Sequence, residues 1–173
     1  MMAWKENTFL VRIPALLLLL VLAACASGPG AVKPIPEGDF RERVQTQEQA
    51  GIRVSAGVPS SKESKELFGK PLYKRGIQPV WLKIENSLEH PVNFLPVGLD
   101  PKYFTPLEVA NYNAGENVKL ESLVDQFFLE KGMRMIIPPG ESSSGFVFTA
   151  LDEGTKAFNV DITGKDFFET FTF

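Results

Sequence analysis

At 173 residues and 19.2 kDa, the chain is long enough for one hydrophobic core and short for two. Eighteen Lys and Arg against 21 Asp and Glu leave a net charge of -3, without the basic surplus that nucleic-acid or anionic-lipid surfaces call for. One cysteine excludes an internal disulfide, one histidine excludes any metal site needing two, and fourteen Phe against three Tyr and two Trp point to a phenylalanine core.

In chain order, Lys5 and Arg12 precede the apolar run Ala15–Ala24, and Cys25 follows at once. A positive start, a short apolar stretch and small residues before a cut site are the physical signature of a secretory signal. The run is too short to span a bilayer, which takes roughly 20 apolar residues. Leu22-Ala23-Ala24-Cys25 resembles the lipobox of bacterial lipoproteins, with the sole cysteine of the chain at the position that carries lipid. The resemblance implies a signal peptide over 1–24, acyl chains such as palmitate on Cys25, and a membrane anchor in the cell envelope. Several acyl chains hold securely where one binds only marginally. Ala26 is non-acidic, which in such lipoproteins of Gram-negative cells goes with the periplasmic face of the outer membrane. Ala24-Cys25-Ala26 also reads as the cut site of an unlipidated export signal.

Residues 25–49 read as lipidated cysteine and tether, because Ser27-Gly-Pro-Gly30 and Lys33-Pro-Ile-Pro-Glu-Gly38 cannot continue a helix or a central strand. A single domain is expected over 50–173. Ile52, Val54 and Ala56 alternate with polar residues as a half-buried strand does. Ser60-Ser-Lys-Glu63 is a capping box that opens a short helix to Phe68, with Gly69 as its stop. Val80, Leu82 and Ile84 mark a second strand, with Trp81 on its other face; Val92–Val97 is expected to return beside it as a hairpin partner. Residues 98–115 read as a long excursion. Leu120, Leu123, Val124, Phe127 and Phe128 then form a helical stripe expected to face the core. Met133–Ile137, the Phe146/Phe148 stretch, Phe158–Ile162 and Phe167–Phe173 are further short strands. Together they predict a mainly β fold: an antiparallel, immunoglobulin-like β-sandwich with one short and one longer helix in its connections. An α+β sheet with the longer helix on one face is the alternative.

Catalytic candidates are few. Gly140-Glu-Ser-Ser-Ser-Gly145 departs from the G-x-S-x-G nucleophile elbow at Ser144 and reads as a hairpin loop. His90 lies in a turn, and Asp152 and Glu153 are adjacent carboxylates expected to face water. No catalytic residue, metal ligand or cofactor site is assigned, and the chain is read as not an enzyme. The best candidates for recognition are Tyr103, Phe104, Glu108 and Tyr112, whose aromatic faces and carboxylate sit on the long connection. The competing reading folds Tyr103 and Phe104 inward to close one end of the sandwich. Trp81 is read as buried on a strand covered on both sides.

Glu66-Leu-Phe-Gly69, Gly76–Asn86, Leu99–Val109 and Ile137-Pro-Pro-Gly140 with Ser144–Phe148 resemble a segment of bacterial envelope proteins that precedes a C-terminal domain of the LssY type. The resemblance covers about residues 52–163 and implies an independent envelope module. The activity of the C-terminal domain is not carried over. The function expected is that of a non-enzymatic lipoprotein whose sandwich binds a protein partner in the envelope, with no nucleic-acid partner. A small-ligand or glycan binder using the Tyr103–Tyr112 loop is the alternative.

Overall fold

A computed structural model describes residues 39–113, 118–154 and 157–173, so Cys25 and the expected signal peptide lie outside the described residues. After a 3-10 turn at Asp39–Arg43 come β1 (Gln45–Gln49), β2 (Ile52–Gly57) and α1 (Ser61–Phe68). A second 3-10 turn at Leu72–Arg75 leads to β3 (Ile77–Asn86), β4 (Val92–Leu95) and three helices: α2 (Pro96–Leu99), α3 (Pro106–Asn113) and α4 (Val118–Lys131). β5 (Ile136–Ile137), β6 (Ser142–Ala150), β7 (Asn159–Thr163) and β8 (Phe168–Thr172) complete the chain.

The strands form two antiparallel sheets, ordered β1-β2-β3-β6 and β5-β4-β7-β8. β2-β3-β6 against β5-β4-β7-β8 is the Greek-key connectivity of an immunoglobulin-like sandwich, with β1 added beside β2. Between the sheets, Ile52, Val54, Val80, Leu82 and Ile84 meet Val92, Phe94, Ile137, Val160, Ile162 and Phe171, all buried. Alternation does this work: each strand sends every second side chain into the shared layer.

A second apolar layer covers the outer face of the first sheet. Ile77, Phe146 and Phe148 pack there with Phe40, Phe68, Leu72, Val109, Ala110 and Phe128. Both faces of β3 and β6 are therefore buried over part of their length. Trp81 lies half-buried in this layer, edge-on to Phe40 at 6.4 Å and with the Arg41 guanidinium 5.8 Å from its ring. The expected α1 is present, with the complete Ser60/Glu63 capping box and Gly69 left-handed at φ 65°.

Several expectations are corrected. β4 does not return beside β3; it crosses to the second sheet and pairs with β5 and β7, because β2 and β6 occupy both sides of β3. Ser142–Ser144 begin β6 and pair with Glu85–Lys83, so this stretch is strand and the turn lies before it. The expected Met133–Ile137 strand is reduced to two residues. α2 takes up the end of the expected Val92–Val97 strand and the start of the long excursion, α3 lies within the excursion, and the described residues hold four α-helices. In α4, Phe128 is buried and Val124 and Phe127 are half-buried, but Leu123 is 57% exposed, since only one side of the helix meets the sheet layer. The side chain of Leu120 lies outside the described residues. The 3-10 turn and β1 fall within the stretch read as tether.

Candidate functional site

Three regions have the geometry to recognise something: the 103–112 segment, a polar cleft beside α1, and the sheet edges. In the first, Asp100 anchors the chain, its carboxylate accepting from the N–H of Lys102 at 2.7 Å and of Ala150 at 2.9 Å. The Phe104 N–H then donates to the Phe148 carbonyl at 2.7 Å, and Tyr103 packs half-buried against the sandwich core. Thr105 opens α3 with a capping box. Its hydroxyl accepts from the Glu108 N–H at 3.2 Å, and the Glu108 carboxylate accepts from the Thr105 N–H at 2.7 Å and hydroxyl at 2.9 Å. Those bonds hold the Glu108 carboxyl below its ordinary pKa. Tyr112 is 53% exposed and meets Phe104 edge-on at 6.1 Å. Of the four predicted binding residues, Phe104 and Tyr112 thus touch one another, Tyr103 turns to the core and Glu108 caps a helix. The hollow beside them, between Phe94, Met133, Met135 and Phe148, measures about 40 Å³.

The roomier space is an open cleft of about 680 Å³ lined by Arg43, Lys62, Glu63, Tyr73, Gln78 and Asp152, which sequence reasoning did not single out. Its walls carry both charge signs. Burial opposes ionisation of Glu63, yet the Arg43 guanidinium at 2.7 Å and the N–H and hydroxyl of Ser60 offset it and hold the carboxyl at about 2. Tyr73 is shifted the other way, chiefly by burial, and its hydroxyl donates to the Pro59 carbonyl. Because the Glu63 pKa is lowered on folding, its contribution to stability is complete above the unfolded carboxylate pKa of about 4.5 and is lost as pH falls toward about 2. Glu63→Gln keeps the cap but removes the charge pair. Thermal unfolding followed from pH 7 to pH 2 is expected to show a flatter acid limb for the variant than for the parent chain.

The sheet edges differ from one another. The β6 edge is covered: besides Phe104, the Met133 N–H donates to the Phe146 carbonyl at 3.0 Å. The fit is close, since a Cβ on Gly145 would lie 2.5 Å from the Gly132 carbonyl oxygen. The β8 edge is capped by side chains from β1. The Gln47 amide donates to the Thr172 carbonyl, and the Gln49 amide donates to the Glu169 carboxylate at 2.8 Å and the Thr170 carbonyl at 3.3 Å. β5 offers two residues and runs into Pro138-Pro139.

β1 is different. Ala50 and Gly51 have φ of 49° and 76°, the two-residue turn that makes Gln49 and Ile52 a hydrogen-bonded pair. Gln45, Gln47 and Gln49 therefore bond to β2, and the N–H and C=O groups of Thr46 and Glu48 point away from it. Among the described residues, no strand pairs with that side of β1.

His90 is half-buried, with its ring edge-on to Phe167 at 5.7 Å, and Asp152 and Glu153 are exposed. Among the described residues no group of three or more His, Cys, Asp or Glu could hold a metal ion, and no helix is long and apolar enough to cross a membrane. No known protein family, curated protein or solved structure matches the chain.

Proposed function

We propose that this chain is a lipid-anchored, non-enzymatic protein of the cell envelope, and that its sandwich binds a protein partner by accepting an extended segment at a sheet edge. Anchoring rests on Leu22-Ala23-Ala24-Cys25 and the apolar run before it. Partner binding is carried by one observation: two edges are covered by hydrogen bonds and a third is two residues long, whereas β1 presents the main chain of Thr46 and Glu48 outward. Strand addition needs such groups and little else, because main-chain hydrogen bonds supply the affinity. The small-ligand reading at Tyr103–Tyr112 draws less support, with Phe104 bonded to β6 and Glu108 engaged as a cap.

The anchor is tested by mass spectrometry of the mature N-terminus. A chain that starts at lipid-modified Cys25 is expected, and an unlipidated start elsewhere would end the lipoprotein reading. Partner binding is tested by crosslinking in living cells with the tagged, anchored chain. One protein recovered in near-stoichiometric yield is the expected result; a folded, anchored chain that brings down none overturns it.

A further inference from the structure

We infer that the β1 edge selects a partner strand with a basic residue placed opposite Glu48, an inference that rests on the strand-addition reading above. The outer face of the first sheet carries a row of charges at matched register. Glu48 lies opposite Arg53, and Arg53 opposite Glu85. The Arg53 guanidinium is 2.7 Å from the Glu48 carboxylate and 3.9 Å from that of Glu85, and the Lys83 ammonium, two residues earlier on β3, lies 2.8 Å from Glu85. Across the strands the signs run negative, positive, negative, and the row ends at the open edge on Glu48, whose side chain is 57% exposed.

A strand added beyond β1 stands about 5 Å away and places one residue directly against Glu48. An Arg or Lys there continues the alternation and gives Glu48 a cation on each side. An Asp or Glu there sets like charges opposite one another, which destabilises the pair. Two residues along, the added strand meets Thr46, whose hydroxyl already lies 2.8 Å from that of Ser55, its cross-strand neighbour. Ser or Thr extends that second row. The occupant is thus an extended partner segment with a basic residue and a hydroxyl residue two positions apart, bonded to the N–H and C=O groups of Thr46 and Glu48. The opposite face of β1 is already engaged, since Gln47 and Gln49 reach β8. Selectivity therefore falls on the Thr46/Glu48 face.

The test uses the full chain in detergent micelles and two capped peptides, Thr-Thr-Thr-Arg-Thr-Thr-Thr and the same sequence with Glu in place of Arg. Both read the same in either strand direction, so register depends on the central residue alone. Fluorescence anisotropy of the labelled peptides is expected to give at least tenfold tighter binding of the Arg peptide at low salt. Hydrogen exchange should slow at Thr46 and Glu48 and at no other strand edge. Thr46→Pro removes an N–H that points away from β2, so the fold tolerates it. Its binding should fall at least tenfold in a chain that still unfolds cooperatively, with only the modest drop in melting temperature that loss of the Thr46–Ser55 hydroxyl bond brings. Glu48→Lys should reverse the preference toward the Glu peptide. Equal affinity for the two peptides, no binding of either, protection at another edge, or undiminished binding by Thr46→Pro would each overturn the inference. The two readings fail separately. A partner crosslinked in cells with equal yield from Thr46→Pro removes the β1 inference and leaves partner binding standing; peptide selectivity without any cellular partner does the reverse.

Discussion

Phe148→Ala is expected to cost the fold about 3–5 kcal/mol, the range for deleting a fully buried aromatic ring. Phe148 has no exposed surface, and its ring lies 5.5 Å from that of Phe68 and 5.6 Å from that of Phe128. Phe68 comes from α1 and Phe128 from α4, so one strand residue joins both helices to the outer face of the first sheet. The deletion leaves a cavity at their meeting point, where rigid strands prevent collapse. Domains of this kind have only about 5–15 kcal/mol in total, so the variant should sit near the edge of folding. Urea unfolding of the full chain in detergent micelles measures the loss. A value below about 1.5 kcal/mol would mean that the helical layer is not packed on Phe148 as described. Phe148→Leu, which keeps most of the volume, should cost distinctly less.

Asn86→Ala is expected to cost about 2–4 kcal/mol by a different route. Asn86 is 2% exposed at the end of β3. Its amide donates to the carbonyls of His90 at 2.9 Å and of Ile137 and Pro138 at 3.1 Å, and its carbonyl oxygen accepts from the Leu88 N–H at 3.0 Å. Ile137 belongs to the second sheet, so this side chain stitches the two sheets together where the chain crosses from β3 to β4. Alanine removes these four bonds, and of the acceptors the Pro138 carbonyl still takes the Glu141 N–H at 3.2 Å. Asn86→Asp keeps the bond from Leu88 but turns a carboxylate toward three carbonyl oxygens, so it should destabilise at least as much as alanine. If chemical unfolding gives both variants the stability of the parent chain, the crossing is held by something else.

The mainly β architecture was legible because alternation is strict in β2 and β7 and holds over Val80–Glu85 of β3 except at Trp81, with apolar residues inward and polar residues outward. Alternation gives the face of a residue but not the sheet of a strand, which is why Val92 and Phe94 looked compatible with a hairpin on β3. β1 carried no signal of that kind: Gln-Thr-Gln-Glu-Gln has no apolar residue, and its place depends on pairing with β2 and on side-chain amides reaching β8. The α3 helix was readable in principle. Thr105-Pro106-Leu107-Glu108 is a capping box with Pro at the first helical position, the same logic that located α1 at Ser60–Glu63. Of the candidate binding residues, the aromatic content of 103–112 was visible, but not its direction. Nothing local in Phe104 says that its N–H closes the edge of a strand that begins 38 residues later, at Ser142.

The covers on β6 and β8 also have an order in time. Synthesis delivers the chain from its N-terminus, and nascent domains acquire structure in that direction. Gln47 and Gln49 emerge some 120 residues before the strand they cap. Phe104 and Met133 likewise precede β6. Each of these two edges is therefore made after its own cover, so no stage of emergence needs to display a finished β6 or β8 to neighbouring chains. The β1–β2 hairpin, closed by a local turn, is among the earliest pieces able to form, and it carries the β1 edge with which no strand pairs among the described residues. A nascent chain thus presents that edge well before its own C-terminal strand exists.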